Sequence, residues 1–263
     1  MLKVRAWQDR LVACGRVQRG LFELGFPAPE LIAGPDRTGA FAISAEAMVE
    51  DGGQSADDPA APAVLAAGLH RFVALAASLG PVGSLAPSPP WVGWDHPGRE
   101  LWPPPDDREG DLNLLDQDDW LDQVACGVRA RLSAFKGSPV IGHCDWYAQN
   151  LRWTGDQLRA VHDWDSVVLQ PEAAIAGHGA AVWPARGGPG ELASIEQTEQ
   201  FLEGYALARS RRWSVDELEA AWAAGLWNRV FDAKKAGLAR EDPDLILTQS
   251  EGAERARRAG LSL

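Results

Sequence analysis

Between Ile141 and Asp165 the chain reads I-G-H-C-D-W-Y-A-Q-N-L-R-W-T-G-D-Q-L-R-A-V-H-D-W-D. His143, Asp145 and Asn150 are spaced H-x-D-x-x-x-x-N, and Asp163 follows Asp145 by 18 residues. Two carboxylates and an amide on neighbouring loops could serve phosphoryl transfer from ATP. That chemistry needs a carboxylate beside the acceptor hydroxyl and oxygen ligands for magnesium. A metal hydrolase built from His143, Asp145, His162 and Asp163 is the competing chemistry. Such sites usually take more His ligands from several helices, and the chain has only five His.

Local pattern shows how these residues would be held. Val140-Ile141 leads into the polar cluster, Leu151-Arg152-Trp153 follows Asn150, and Leu158 to Val161 leads into His162-Asp163. Thr154-Gly155-Asp156 is a hairpin-turn signal between the last two runs. A loop anchored by strands can keep carboxylates in fixed geometry.

The remaining elements are read from periodicity and punctuation. Residues 2–7 alternate as a strand and 8–24 suit a helix, with Gly25 at a C-cap-like position before Pro27 and Pro29. Residues 30–32 and 39–44 read as short strands around a Gly34-Pro35-Asp36 turn, and 45–53 as a connector. Residues 57–79 form a helical pattern stopped by Gly80-Pro81. Residues 81–111 are a long loop rich in Pro, Gly and Trp. Loops of this length in compact domains are functional or disordered. Trp91, Trp94 and Trp102 favour a packed loop over a disordered one, and packing over a substrate-stacking cage.

Asp107, Glu109, Asp111, Asp116, Asp118, Asp119 and Asp122 make an acidic run before and into a helix over 118–135. The bland reading is a helix first turn favoured by the dipole; the sharper one is an acidic rim for a cationic substrate. Helices are also expected over 171–183, 191–210 and 214–235, with a Gly/Pro turn over 184–190. The third opens on a Ser214-x-x-Glu217 capping box. A charged final helix over 242–258 is expected at the surface. The fold class expected is α+β, with a small mixed lobe (residues 1–50) and a larger, mainly helical lobe (51–263).

Composition narrows the function classes. The 263 residues carry a net charge of −12 and are 46% hydrophobic, enough for a sizeable core. The charge argues against binding nucleic acid, and no apolar run is long enough for a membrane span. Cys14, Cys126 and Cys144 match no zinc or disulfide framework, so a reducing cytosol is expected. Abundant Ala, Gly and Pro suggest a high-GC bacterial coding bias. Oligomeric state is not readable.

The central stretch resembles the aminoglycoside phosphotransferase family, protein-kinase-like enzymes similar also to choline and homoserine kinases. Their loop reads H-G-D-x-x-x-x-N and their metal motif I-D-W-E or I-D-F-x. Here stand His143-Cys144-Asp145, Asn150, and His162-Asp163-Trp164-Asp165. Weaker matches are Leu2-Lys3-Val4-Arg5, Leu24-Gly25-Phe26-Pro27-Ala28-Pro29, Leu65 to His70, and Phe201-Leu202 with Tyr205.

The resemblance implies a two-lobed kinase-like fold using ATP and Mg2+ to phosphorylate a hydroxyl of a small molecule: an aminoglycoside-like antibiotic, a sugar or an amino alcohol. It implies Asp145 as the base that takes the acceptor proton, Asn150 and Asp163 as metal ligands, and Lys3 as phosphate ligand with Arg5 as fallback. His143 and Asp165 would support the loop. Cys144 departs from the usual Gly, His162 from Ile or Val, and Pro171-Glu172-Ala173-Ala174 lacks a further Asp. No Glu in the middle of the first helix offers itself to Lys3. Nothing precedes Lys3 to supply a Gly-rich hairpin over the phosphates, so the small lobe is expected to be shortened at its N-terminus. A catalytically silent kinase-fold protein that binds a ligand or partner is therefore the alternative.

Overall fold

The computed structural model describes residues 1–49, 61–115, 119–155, 157–186 and 191–262. The N-terminal part holds β1 (Leu2–Ala6), α1 (Arg10–Glu23), β2 (Leu31–Thr38) and β3 (Phe41–Glu46). The three strands form an antiparallel sheet in the order β1-β3-β2. β1 alternates as its sequence requires, but its inner face is the ionic one. Lys3 and Arg5 are half-buried while Leu2 and Val4 are 69% and 57% exposed.

The expected turn at Gly34-Pro35-Asp36 is instead a kink inside β2, where the register with β3 slips between Ala33 and Asp36. Gly34 is in the left-handed region (φ 79°), and a Cβ there would lie 2.4 Å from the Ile43 carbonyl oxygen. The glycine therefore presses β2 against β3 rather than reversing the chain. The reversal comes at Gly39 (φ 63°).

The C-terminal part is mostly helical: α2 (Ala61–Ala76), α3 (Asp119–Ala134), α4 (Glu172–Val182), α5 (Ile195–Ala208), α6 (Val215–Ala236) and α7 (Gln249–Arg258). Four short strands interrupt it: β4 (Pro139–His143), β5 (Leu151–Thr154), β6 (Gln157–Val161) and β7 (Val167–Pro171). β5 and β6 form the expected hairpin, turning at Gly155 (φ 60°), and β4 pairs antiparallel with β7. No strand is expected at β7, because its apolar run passes into α4 without a turn signal. Ala45 and Glu46, expected in the 45–53 connector, instead extend β3, because Ala45 pairs with Leu2. The rest of that connector from residue 50, the start of the 57–79 helix, Asp116, Asp118, Asp156 and the end of the 184–190 turn lie outside the described residues.

α6 opens on the expected capping box, Ser214 and Glu217 each bonding the other's backbone N–H. α7 is less superficial than its charge suggests. Arg255 is buried, donating to the Ala193 carbonyl at 2.5 Å, to Thr198 Oγ1 at 3.2 Å and to Glu251 at 2.7 Å. A buried guanidinium is tolerated when its fan of N–H donors is matched this way.

The long loop is packed, as its tryptophans require. Trp94 and Trp102 are buried, and the Trp102 indole donates to Asp122 at 2.8 Å and lies 5.6 Å from Trp227. Arg129 of α3 gathers the carbonyls of Trp94, His96 and Glu100 at 3.0, 2.9 and 2.7 Å.

The core is densest where α4 crosses α6. Gly177 and Gly225 let the two backbones touch: a Cβ on Gly177 would lie 2.0 Å from the Ala221 carbonyl oxygen. Neither helix can shift without disturbing the strands before α4. Gly177→Ala is expected to destabilise the fold by about 3 kcal/mol, the upper range for overpacking against backbone. Gly80→Ala, where nothing lies within 4 Å, should be within about 1 kcal/mol of wild type. Urea unfolding of both variants checks the contrast.

Candidate active site

The β5–β6 hairpin is inserted between β4 and β7, so two loops open on the same side of the small sheets. One runs from Cys144 to Asn150, the other from His162 to Ser166. Backbone bonds stitch them together. Cys144 N–H donates to the Ser166 carbonyl at 3.0 Å, and His162 N–H to the Asn150 carbonyl at 2.8 Å. Each Asp of interest is followed by a buried tryptophan that fixes its loop. Trp146 donates to the Leu65 carbonyl at 2.9 Å, and Trp164 to the Val161 carbonyl at 2.8 Å while stacking on Phe72 at 5.6 Å. Cys144 fits in place of glycine because its thiol turns inward, donating to the Ser166 carbonyl at 2.9 Å.

His143 is fully buried among Phe72, Trp146 and Trp164. Its Nε2–H donates to the His162 carbonyl at 2.9 Å, tying the loops. Burial pushes the imidazole pKa down to about 4, so the ring is neutral at physiological pH. It is a strut between two loops, and a neutral ring with no contact to the cleft supplies no proton.

Asn150 Nδ2 donates to Asp145 Oδ2 at 2.9 Å and to the Asp145 carbonyl at 3.1 Å. With its nitrogen spent on Asp145, the amide oxygen is left to accept from elsewhere or to ligate a cation. The Asp145 carboxyl is pushed up to about 7, first by burial and then by the charge of Asp163. A carboxyl poised there is suited to take a proton from an alcohol near neutral pH.

Asp163 is one of three described non-glycine residues with positive φ (65°, ψ 51°). That conformation is strained for most side chains, tolerated by Asp and Asn, and collects at functional sites. Burial alone would raise its pKa, but the Arg5 guanidinium outweighs this and holds it below the ordinary value. Arg5 Nη2 lies 2.6 Å from Asp163 Oδ1, and its Nη1 pairs with Asp165 Oδ2. Asp165 Oδ1 is buried with no hydrogen-bond partner. Such an orphaned acceptor suits a cation or its water.

Lys3 is engaged elsewhere: its Nζ lies 2.9 Å from Glu46 Oε2, on a carboxylate side chain only 3% exposed. The partner that α1 does not supply thus comes from β3. The middle of α1 contributes Gln18, whose amide braces Glu46 Oε1 at 3.2 Å. Lys3 pairs in register with Ser44, so Glu46 is a diagonal cross-strand neighbour. Only that register, absent from sequence, could have named it. Arg10 of α1 is a second unanticipated residue. Buried, it donates to the carbonyls of Leu85 at 3.1 Å, Asp165 at 2.5 Å and Val167, pinning the second loop to the small lobe.

Asp145 opens onto a cleft of about 300 Å³ lined also by Trp91, Asp106, Asp107, Tyr147, Asn228, Asp232 and Lys235. Burial raises the carboxyls of Asp106 and Asp232 above their ordinary values. Lys235 Nζ bridges Asp107 Oδ2 at 3.1 Å and Asp232 Oδ1 at 3.4 Å. Of the acidic run read from sequence, Asp107 reaches the cleft, joined by Asp106 beside it. Asp111 caps a turn at Asn113, Asp122 serves Trp102 and Lys234, and Asp116 and Asp118 are outside the described residues. Among the tryptophans, Trp91 lines the cleft.

Among the described residues, no three or more His, Cys, Asp or Glu converge as a metal cage. The oxygen set of Asn150, Asp163 and Asp165 fits magnesium better, since that ion takes one or two carboxylates and fills its shell with water and phosphate. No helix among the described residues is long and apolar enough to cross a membrane.

Comparison with known proteins agrees with the fold. The structure is similar to an amicoumacin kinase solved with AMP-PNP and Ca2+, at 14% identity and TM-score 0.63 over 98% of this chain and 80% of that one. It is similar to an aminoglycoside phosphotransferase solved with AMP-PNP and hygromycin B, at 14% identity and TM-score 0.63 over 99% and 86%. It is also similar to a choline/ethanolamine kinase family protein from Mesorhizobium loti, at 13% identity and TM-score 0.56 over 98% and 87%. No curated protein sequence matches the chain. These likenesses show a protein-kinase-like fold, with a small N-terminal sheet and a helical C-terminal lobe. The sequence itself matches the Phosphotransferase enzyme family over residues 3–213. Two loops presenting Asp145, Asn150 and Asp163 beneath a three-stranded sheet, and a family match over most of the length, lead to one conclusion: the chain belongs to the phosphotransferase enzyme family.

Proposed function

We propose that the chain transfers the γ-phosphate of ATP to a hydroxyl of a small molecule that also bears amino groups, such as an aminoglycoside-like compound or an amino alcohol. The observation that carries this is the position of Asp145, a carboxyl raised to about 7 at the mouth of a cleft shared with Asp106, Asp107 and Asp232. In this reading residues 1–50 bind nucleotide and residues 51–263 carry the catalytic loop and acceptor site. Asp145 orients the acceptor hydroxyl and takes its proton, and Asn150 holds the Asp145 carboxylate in place through its amide N–H. Asn150 and Asp163 are the residues that would hold magnesium, which when bound neutralises charge on the phosphate oxygens. Lys3 is the phosphate ligand, steadied by Glu46. The free, buried thiols of Cys14 and Cys144 suit the cytoplasm.

The cleft carboxylates favour a cationic acceptor by direct charge pairing. Neutral sugars could donate to the same carboxylates but would gain no charge pairing there. The test is acceptor-dependent ADP release from ATP across a panel of amino-bearing and neutral alcohols. Amine-bearing acceptors should turn over fastest; no acceptor-dependent release with any of them would sink the proposal.

Lys235 offers a sharper check on the acceptor. Its ammonium already occupies the position between Asp107 and Asp232 that a substrate amine would take. Lys235→Met is therefore expected to lower KM for cationic acceptors by roughly twofold to fivefold, with kcat little changed, as release of a partly exposed ion pair allows. Steady-state kinetics on one amine-bearing and one neutral acceptor distinguishes this from a general loosening.

The silent alternative has one observation in its favour: Arg5 sits on the carboxylates a metal would need.

A further inference from the structure

We propose that Arg5 is the resident counter-cation of the metal site: it holds Asp163 and Asp165 while no metal is bound, and exchanges them for nucleotide phosphate oxygens when metal and nucleotide enter together. The proposal rests on the reading of Asp163 as a metal ligand.

Two cations project from the inner face of β1, and the structure gives them different tasks. Lys3 is committed to Glu46, a buried carboxylate that Gln18 also braces. Arg5, two residues on, spans two carboxylates with one planar fork: Nη2 to Asp163 and Nη1 to Asp165. A lysine could not bridge both in this way, because its charge is a single point. With Arg5 removed, two carboxylates two residues apart would lose the one counter-charge they share.

Arg5 leaves the site incomplete in a telling way. It satisfies Asp165 Oδ2 but not Asp165 Oδ1, which stays buried without a partner. The carboxylate segment cannot easily retreat from it, because Arg10 pins the Asp165 and Val167 carbonyls. What can move is the Arg5 side chain, which is 32% exposed. An arriving cation therefore competes with a guanidinium rather than with water. The displaced fork remains beside Lys3 on the inner face of β1, and guanidinium groups pair well with phosphate.

The consequence is coupling. Metal alone must displace Arg5 without giving it a new partner, whereas metal with nucleotide supplies one. Metal and nucleotide should then strengthen each other's binding, and the coupling must be reciprocal. A counter-ion that served structure alone would produce no such coupling.

The test measures Mn2+ binding to the full chain by electron paramagnetic resonance, with and without ADP. Arg5→Met is expected to bind Mn2+ alone on the order of two- to fivefold more tightly than wild type, the scale of one partly exposed ion pair. It should lose at least that factor of coupling to ADP. Arg5→Lys, which keeps the charge but not the fork, should fall between. Equal or weaker Mn2+ binding by Arg5→Met, with coupling to ADP unchanged, would overturn the proposal.

Should Arg5→Met not fold, wild type labelled with 15N-arginine still decides. The Arg5 Nε resonance should move on adding Mg2+ with ADP and stay put with Mg2+ alone at the same concentration; a resonance that ignores both refutes the exchange. These readouts report binding rather than transfer. A chain that shows the exchange yet phosphorylates no acceptor overturns the proposed activity and leaves the role of Arg5 standing.

Discussion

Replacing Asp145 by Asn is expected to lower kcat for phosphate transfer by a factor on the order of 10²–10⁴, the span usual for loss of a positioned general base. Nucleotide affinity should change little, because the proposed ligands of metal and phosphate are other residues. The amide oxygen of the new side chain can still accept from Asn150, so the loop should keep its shape. The same substitution should stabilise the folded protein. Burial and Asp163 raise the Asp145 carboxyl from 3.8 to about 7, which means that the fold disfavours its charge. A raised carboxyl contributes its stability below pH 3.8 and loses it as pH climbs through about 7. At pH 8 wild type bears the full penalty and the Asp145→Asn variant bears none.

Raising the carboxyl from 3.8 to about 7 corresponds to about 4 kcal/mol at most. The side chain faces the cleft and is only partly buried, so about 1–3 kcal/mol is the sensible expectation after solvent screening. Thermal unfolding at pH 8 and pH 4 checks both sign and window. The variant should melt higher at pH 8, with the advantage shrinking sharply at pH 4. A variant that is both inactive and less stable at pH 8 would mean that Asp145 supports the loop rather than the chemistry. Sites that hold a charge against the preference of the fold trade stability for activity in this way.

Replacing Asp163 by Asn is expected to abolish magnesium-dependent stabilisation by ATP. Wild type at a hundredfold excess of Mg–ATP over its Kd should gain about 2.7 kcal/mol. The variant should keep only what nucleotide gives without metal. Asn is preferred to Ala because the residue stands at φ 65°, where Ala would add backbone strain of about 1–2 kcal/mol and confuse the result. The substitution also removes a charge that helps raise Asp145, so that carboxyl should titrate lower. Melting curves with ATP, with Mg2+ and with both separate these effects. A variant that keeps the full Mg2+-dependent shift would remove Asp163 from the metal site.

Much of the fold was legible from punctuation and period. The β5–β6 hairpin, the capping box at Ser214 and the packed tryptophan loop all declare themselves within a few residues, because turns, caps and amphipathic faces are local physics. The spacing of Asp145, Asn150 and Asp163 was legible for the same reason: one hairpin joins the two loops that carry them, and its length sets the separation between the loops. Local pattern failed where a residue's meaning depends on what crosses it. β7 needed β4 as its partner, and the kink at Gly34 needed the Ile43 carbonyl against which it presses. Arg255 looked like a surface charge until the carbonyl of Ala193 arrived from elsewhere in the chain.

The chain by itself determined which groups could do chemistry and how far apart along the backbone they stand. Only the tertiary structure decided their electrical state and their company. Lys3 met its carboxylate through strand register, Arg5 reached 158 residues along the chain to Asp163, and Asp106, Asp107 and Asp232 gathered around Asp145 from a loop and a distant helix. Charge and burial act through space, and spacing along the backbone carries no record of either.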